Sequence, residues 1–87
     1  MYYGSNNEER KLVAWQKAAV IPGANKNIWR RDRFERMINW NEYGNRGSKF
    51  GWVIDHIFPR ARGGGDEPSN LEALHYVSNE QKSDLLI

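Results

Sequence analysis

The sequence predicts one α+β domain, and three observations predict it. A capping pattern followed by apolar residues at helical spacing marks a helix near the start. A run rich in Trp, Val, Ile and Phe over residues 51–58 and a short run over residues 71–76, apolar at near-alternate positions, mark two strands. A second capping pattern after them marks a closing helix. With 87 residues there is room for one domain at most. A domain this small buries only about two thirds of its unfolded surface. The four Trp, four Tyr and three Phe therefore read as core before they read as platforms for stacking bases.

In order along the chain, Ser5-Asn6-Asn7-Glu8 forms a capping box with Ser5 as N-cap. Leu12, Trp15 and Ala19 follow at helical spacing beside Val13 and Gln16, and Pro22-Gly23 stops the pattern. The expected helix covers residues 6–20. Residues 24–50 are ambiguous, because Phe34, Met37 and Ile38 fit a helix while Trp29 to Phe34 fits an extended stretch. Gly44 to Ser48 is a loop. Gly51 to Phe58 reads as a strand that Pro59 ends. Arg60 to Asn70, with Gly63-Gly64-Gly65 and Pro68, is a long loop, and the glycines let it turn. No helix and no Lys-Ser/Thr follow those glycines, so they are not a phosphate-binding loop. Leu71 to Tyr76 is a second strand, and Ser78 with Gln81 caps a helix over residues 79–86.

Composition narrows the chemistry. The chain has no cysteine, which excludes disulfides and thiolate zinc sites. No run of 18 apolar residues is present, and the first residues lack the basic and apolar regions of a signal peptide, so the expectation is a cytoplasmic protein without a membrane partner. Residues 1–65 carry 12 Lys and Arg against 6 Asp and Glu, whereas residues 66–87 carry 1 against 5. A basic body suits a phosphate backbone, although any small soluble domain needs surface charge.

One constellation stands out. Asp55 lies inside an apolar strand, where a carboxylate must be paired, hydrogen-bonded or metal-bound. His56 follows it, and an imidazole titrates near neutral pH and can take a proton from water. Asn70 comes 14 residues after His56, and Asn79 comes 23 after it in the first turn of the last helix. Asp and Asn oxygens are hard donors that suit Mg²⁺ or Mn²⁺ better than zinc. Taken singly, Asn70 is a loop-capping residue and Asn79 a helix-start residue.

Taken together, Asp55-His56-Ile57-Phe58-Pro59, Gly63-Gly64, Asn70-Leu71, Leu74, Asn79 and Lys82 resemble the HNH endonuclease motif, also called the ββα-metal motif or His-Me finger. The likeness covers about 35 residues from Trp52 onward. Its spacing is similar to that of HNH domains in RNA-guided DNA-cleaving effectors and stand-alone bacterial HNH proteins. The upstream run from Trp15 to Trp52 is similar to a group of small cysteine-free HNH proteins of bacterial or phage type. The resemblance implies that His56 is the general base, that Asp55 and Asn79 hold one divalent metal ion, and that Asn70 pins the long loop and thereby His56. It also implies in-line hydrolysis of a DNA phosphodiester that leaves a 5′ phosphate. Many family members brace the motif with cysteine-bound zinc, and this chain has no cysteine to do so.

The expectation is thus an α+β fold with a ββα-metal (His-Me finger) core over residues 51–87 and helical support over residues 1–50. The expected activity is a metal-dependent DNA endonuclease using Mg²⁺ or Mn²⁺, with RNA not excluded as substrate. Such a module contacts mainly backbone and has little sequence preference, so a homodimer or a partner protein would supply specificity. Arg60 and Arg62 are the expected phosphate contacts. Lys82 either contacts phosphate or pairs with an acidic neighbour. Lys49, Arg30, Arg31 and Arg33 are weaker contacts. His75, next to Leu74 on the second strand, is expected to be structural or to support a ligand, with direct approach to the metal as the alternative. Asp55 and His56 should point to opposite strand faces, with a bend or bulge near His56 to aim them. Two other classes compete: a catalytically silent nucleic-acid-binding module, and a purely structural interaction domain with no salt-dependent DNA affinity.

Overall fold

The structure, a computed structural model, describes residues 6–85. Helix α1 spans Asn7–Lys17. Its cap is Asn6, whose side-chain oxygen accepts from the backbone N–H of Glu8 at 2.7 Å and Glu9 at 3.3 Å. The expected cap, Ser5, lies outside the described residues. The helix stops before residue 20 because Ala18 turns extended and Arg30 donates to the carbonyls of Gln16 and Ala18, both at 3.1 Å. Its buried face is Ala14 and Trp15, while Leu12 and Ala19 of the expected apolar stripe are exposed.

The ambiguous stretch is sheet. Strands β1 (Ala19–Val20), β2 (Trp29–Arg31) and β3 (Met37–Asn39) form an antiparallel sheet in that order. The β2–β3 turn is built by Asp32, whose Oδ1 accepts from the N–H of Phe34 and of Arg36, each at 3.0 Å. Glu35 closes it with φ of 72°. The expected helical support over residues 1–50 is therefore corrected: among the described residues it is one α-helix, a three-stranded sheet and a short 3-10 turn at Trp40–Glu42.

The C-terminal part is strand, long loop, strand, helix. Strand β4 (Trp52–His56) pairs antiparallel with β5 (Leu71–His75), and α2 (Tyr76–Leu85) follows without a break. Trp52 pairs with His75, Asp55 with Glu72 and His56 with Leu71. That ladder is regular through His56 with no bulge, and the expected bend falls at Ile57 and Phe58, directly after His56 and ahead of Pro59. The expected Ser78 cap is also corrected. The helix starts earlier, and the His75 ring Nδ1 accepts from the N–H of Val77 at 3.0 Å. Ser78 instead faces inward, fully buried, and with Gln81 it receives the Arg36 guanidinium at 3.2 and 3.0 Å.

The core joins the two halves. Trp52 is fully buried, with ring centroids of Trp15 at 5.2 Å, Trp40 at 5.9 Å and Tyr43 at 4.9 Å. Ile38, Leu71 and Ala73 complete the cluster. Both buried indole N–H groups are satisfied by carbonyls, Trp15 by Lys26 at 3.1 Å and Trp52 by Asn39 at 2.8 Å. Asp32 Oδ2 accepts from the N–H of His75 at 3.0 Å, tying the N-terminal sheet to the end of β5. The cysteine-free chain is thus braced by aromatic packing and buried polar ties.

Candidate active site

Strand alternation sends Asp55 and His56 in different directions, as the pleat requires. Asp55 meets α2. The Lys82 ammonium binds its Oδ2, donates to the carbonyl of His56 at 2.5 Å, and stands 3.8 Å from Glu72 Oε2. Asp55 and Glu72 are cross-strand partners, and like charges placed opposite each other repel. Lys82, only 7 % exposed, lies between them and offsets that repulsion. Arg33 reaches the other Glu72 oxygen at 2.8 Å. Lys82 thus makes the acid pairing that is one of the two contacts expected of it, and it also lines a cleft beside Asp55.

His56 meets the long loop and α1. Its Nε2 is 2.6 Å from Asp66 Oδ1, and Arg10 of α1 donates to Asp66 Oδ2 at 3.2 Å. The hydrogen bond from His56 holds the Asp66 carboxyl below the usual carboxylate range. The nearby Arg60 and Arg10 charges add to this, against the opposing effect of desolvation.

The loop that carries Asp66 is folded back on the end of β4 by Asn70. The N–H of Phe58 donates to Asn70 Oδ1 at 2.7 Å, and Asn70 Nδ2 donates to the carbonyls of Phe58 at 3.1 Å and Gly65 at 2.8 Å. The side chain of Asn70 thus grips the backbone two residues after His56 and one residue before Asp66. Gly64 permits the close return, since a Cβ there would lie 1.9 Å from the Phe58 carbonyl oxygen. Lys17 of α1 adds a bond to the Pro68 carbonyl at 2.9 Å.

Two clefts flank this pair. One, of about 280 Å³, is lined by Asp55, His56, Pro59, Arg60, Asn79, Lys82 and Ser83. The other, of about 180 Å³, is lined by Asn7, Arg10, Tyr43, Ile54, His56 and Arg60. His56 and Arg60 border both. The first cleft thus gathers Asp55, His56, Asn79, Arg60 and Lys82 from β4, the loop and α2, while Asn70 stands behind them as the loop's anchor. Arg62 is exposed and lines neither cleft.

The donor set bears on a metal. Among the described residues no three His, Asp or Glu side chains converge as a metal cluster. Asp55 and Asn79 offer one carboxylate and one amide oxygen on the same cleft. That sparse set of hard oxygens fits Mg²⁺, which keeps several waters and takes one or two carboxylates. Lys82 engages Asp55 Oδ2, and among the described residues Oδ1 has no hydrogen-bond partner.

Other candidates fall elsewhere. His75 has both ring nitrogens engaged, Nδ1 by Val77 and Nε2 by the Lys49 carbonyl at 2.7 Å, so it is structural. Arg30 is buried on the carbonyls of Gln16, Ala18 and Lys26, which removes it from the weaker DNA contacts, while Arg33 is paired with Glu72 and exposed. Arg31 donates to the Glu35 carbonyl at 3.1 Å, and Lys49 stays exposed. Sequence reasoning missed Asp66, Glu72 and Arg10. Only Asp66 carried a signal, as an acid directly after three glycines in the loop that follows the histidine.

Residues 44–85 match the family model described as HNH endonuclease. No curated protein and no solved structure matches the chain. Its strand-loop-strand-helix segment is thus similar to the HNH endonuclease family, and the match supports that family for this part of the chain.

Proposed function

We propose that this protein is a metal-dependent endonuclease that hydrolyses DNA phosphodiester bonds on a ββα-metal core formed by β4, β5 and α2. The observation that carries the reading is the position of His56. It is held by a carboxylate at the rim of a cleft that also contains Asp55 and Asn79. In this reading Asp55 and Asn79 hold the divalent ion, Mg²⁺ or Mn²⁺. When bound, that ion supplies Lewis-acid stabilisation of the charge on the leaving oxygen. His56 takes a proton from water as the water oxygen bonds to phosphorus and the bond to the 3′ oxygen breaks, leaving a 5′ phosphate. Arg60 contacts the substrate phosphate from the cleft wall, and Arg62 contacts backbone farther out. Asn70 keeps the loop folded so that His56 has one position.

Cleavage of supercoiled plasmid in Mg²⁺ or Mn²⁺ tests this reading. It predicts nicked or linear product that disappears with excess chelator and is strongly reduced in Asn79→Ala. Product formation that a chelator leaves unchanged would contradict it. One observation favours a second reading. The Lys82 ammonium already neutralises Asp55, as it would in a module that binds nucleic acid without cutting it. That reading predicts salt-dependent DNA binding in chelator and no cleavage in any metal.

A further inference from the structure

We propose that Asp66 is the positioning residue for His56, fixing its ring as the Nε2–H tautomer so that Nδ1 is the nitrogen that accepts the proton. The inference rests on the nuclease reading of His56 and adds a residue to it. The contact is short, 2.6 Å between Nε2 and Asp66 Oδ1. An ionised carboxylate only accepts hydrogen bonds, so the ring nitrogen facing it must carry the hydrogen. Asp66 stays ionised because His56, Arg60 and Arg10 all favour its charged form. In neutral imidazole the lone pair then falls on Nδ1. Among the described residues Nδ1 of His56 has no hydrogen-bond partner, unlike both ring nitrogens of His75.

The surroundings hold this pair from both sides. Arg10 takes the second oxygen of Asp66 at 3.2 Å, which limits rotation of the carboxylate. Asn70 ties Gly65, next to Asp66, to Phe58, two residues beyond His56. A carboxylate and an imidazole ten residues apart in sequence are thus fixed by a third side chain that touches neither. Arg10 also makes α1 a participant in the site, since it reaches the motif from outside the matched segment.

Two readouts test the proposal. Long-range ¹H–¹⁵N NMR on the metal-free protein reports the tautomer of His56 directly. The wild type should show neutral His56 as Nε2–H, and Asp66→Asn should lose that single tautomer, because an amide can donate to Nε2 as well as accept from it. Plasmid cleavage should then fall about tenfold to a hundredfold in kcat for Asp66→Asn with KM little changed. Asp66→Glu should recover part of the rate. His56 found as Nδ1–H in the wild type, or an unchanged tautomer and rate in Asp66→Asn, would overturn the proposal. A wild type that shows Nε2–H yet cuts nothing would overturn the nuclease reading and the catalytic part of this one with it.

Discussion

The two histidines stand at opposite ends of one two-stranded ladder and live in different physical worlds. His75 pairs with Trp52 at the closed end, against the aromatic cluster. Both its ring nitrogens are engaged, one capping α2 and one bound to the Lys49 carbonyl. His56 pairs with Leu71 at the open end, where two clefts meet, and among the described residues only one of its nitrogens has a partner. The closed end is held by apolar area and satisfied backbone groups, which stabilise without chemistry. The open end is held by charges and by one asparagine, at the edge of two clefts. A small domain can keep such an open end because Trp52 fastens the other end of the same strand.

Substitutions at the two ends should separate stability from activity. Trp52→Ala removes the centre of the cluster and should cost about 3–5 kcal/mol, close to the whole stability of a small domain. Urea denaturation should find it largely unfolded, with both ends lost together. Asn70→Ala should cost about 2–3 kcal/mol, because it strands the backbone groups of Phe58 and Gly65. Here the open end should loosen first, seen as faster amide exchange in residues 57–69 before the Trp52 environment changes. His75→Ala removes a helix cap and should cost about 1–2 kcal/mol in the same denaturation experiment. Its folded fraction should cleave at the wild-type rate.

The smallest effect belongs to pH. The pKa of Asp66 is lowered in the folded protein from its ordinary value of 3.8, so its contribution to stability is present above that value. The contribution is lost as pH falls through the lowered value. Comparing acid unfolding of the wild type and Asp66→Asn should show a shallower loss in the variant below about pH 4.

The same contrast explains what the sequence revealed. The ladder was legible because Trp52, Val53 and Ile54 carry strong strand character, Leu71 to Tyr76 is apolar at near-alternate positions, and Pro59 and the glycines mark the loop. Asp55, His56, Asn70 and Asn79 were legible because their types and spacing form a pattern. Asp66 was not, since its role depends on how Asn70 folds a glycine-rich loop. Arg10 could not be found from local sequence, because its contact with Asp66 spans 56 residues. The N-terminal sheet escaped because strands of two or three residues are too short for a period to register. Ser78 and Gln81 mimicked a capping box while serving as the seat of Arg36, so a correct local pattern was outweighed by packing.

The decisive measurement is plasmid cleavage in Mg²⁺ or Mn²⁺ by His56→Ala and His75→Ala side by side, each checked for folding. The open-end assignment predicts that His56→Ala folds like the wild type and loses about 10²–10⁴-fold in rate, while His75→Ala is less stable and still cuts. Equal cleavage by wild type and His56→Ala, or selective loss of cleavage in a fully folded His75→Ala, would contradict it.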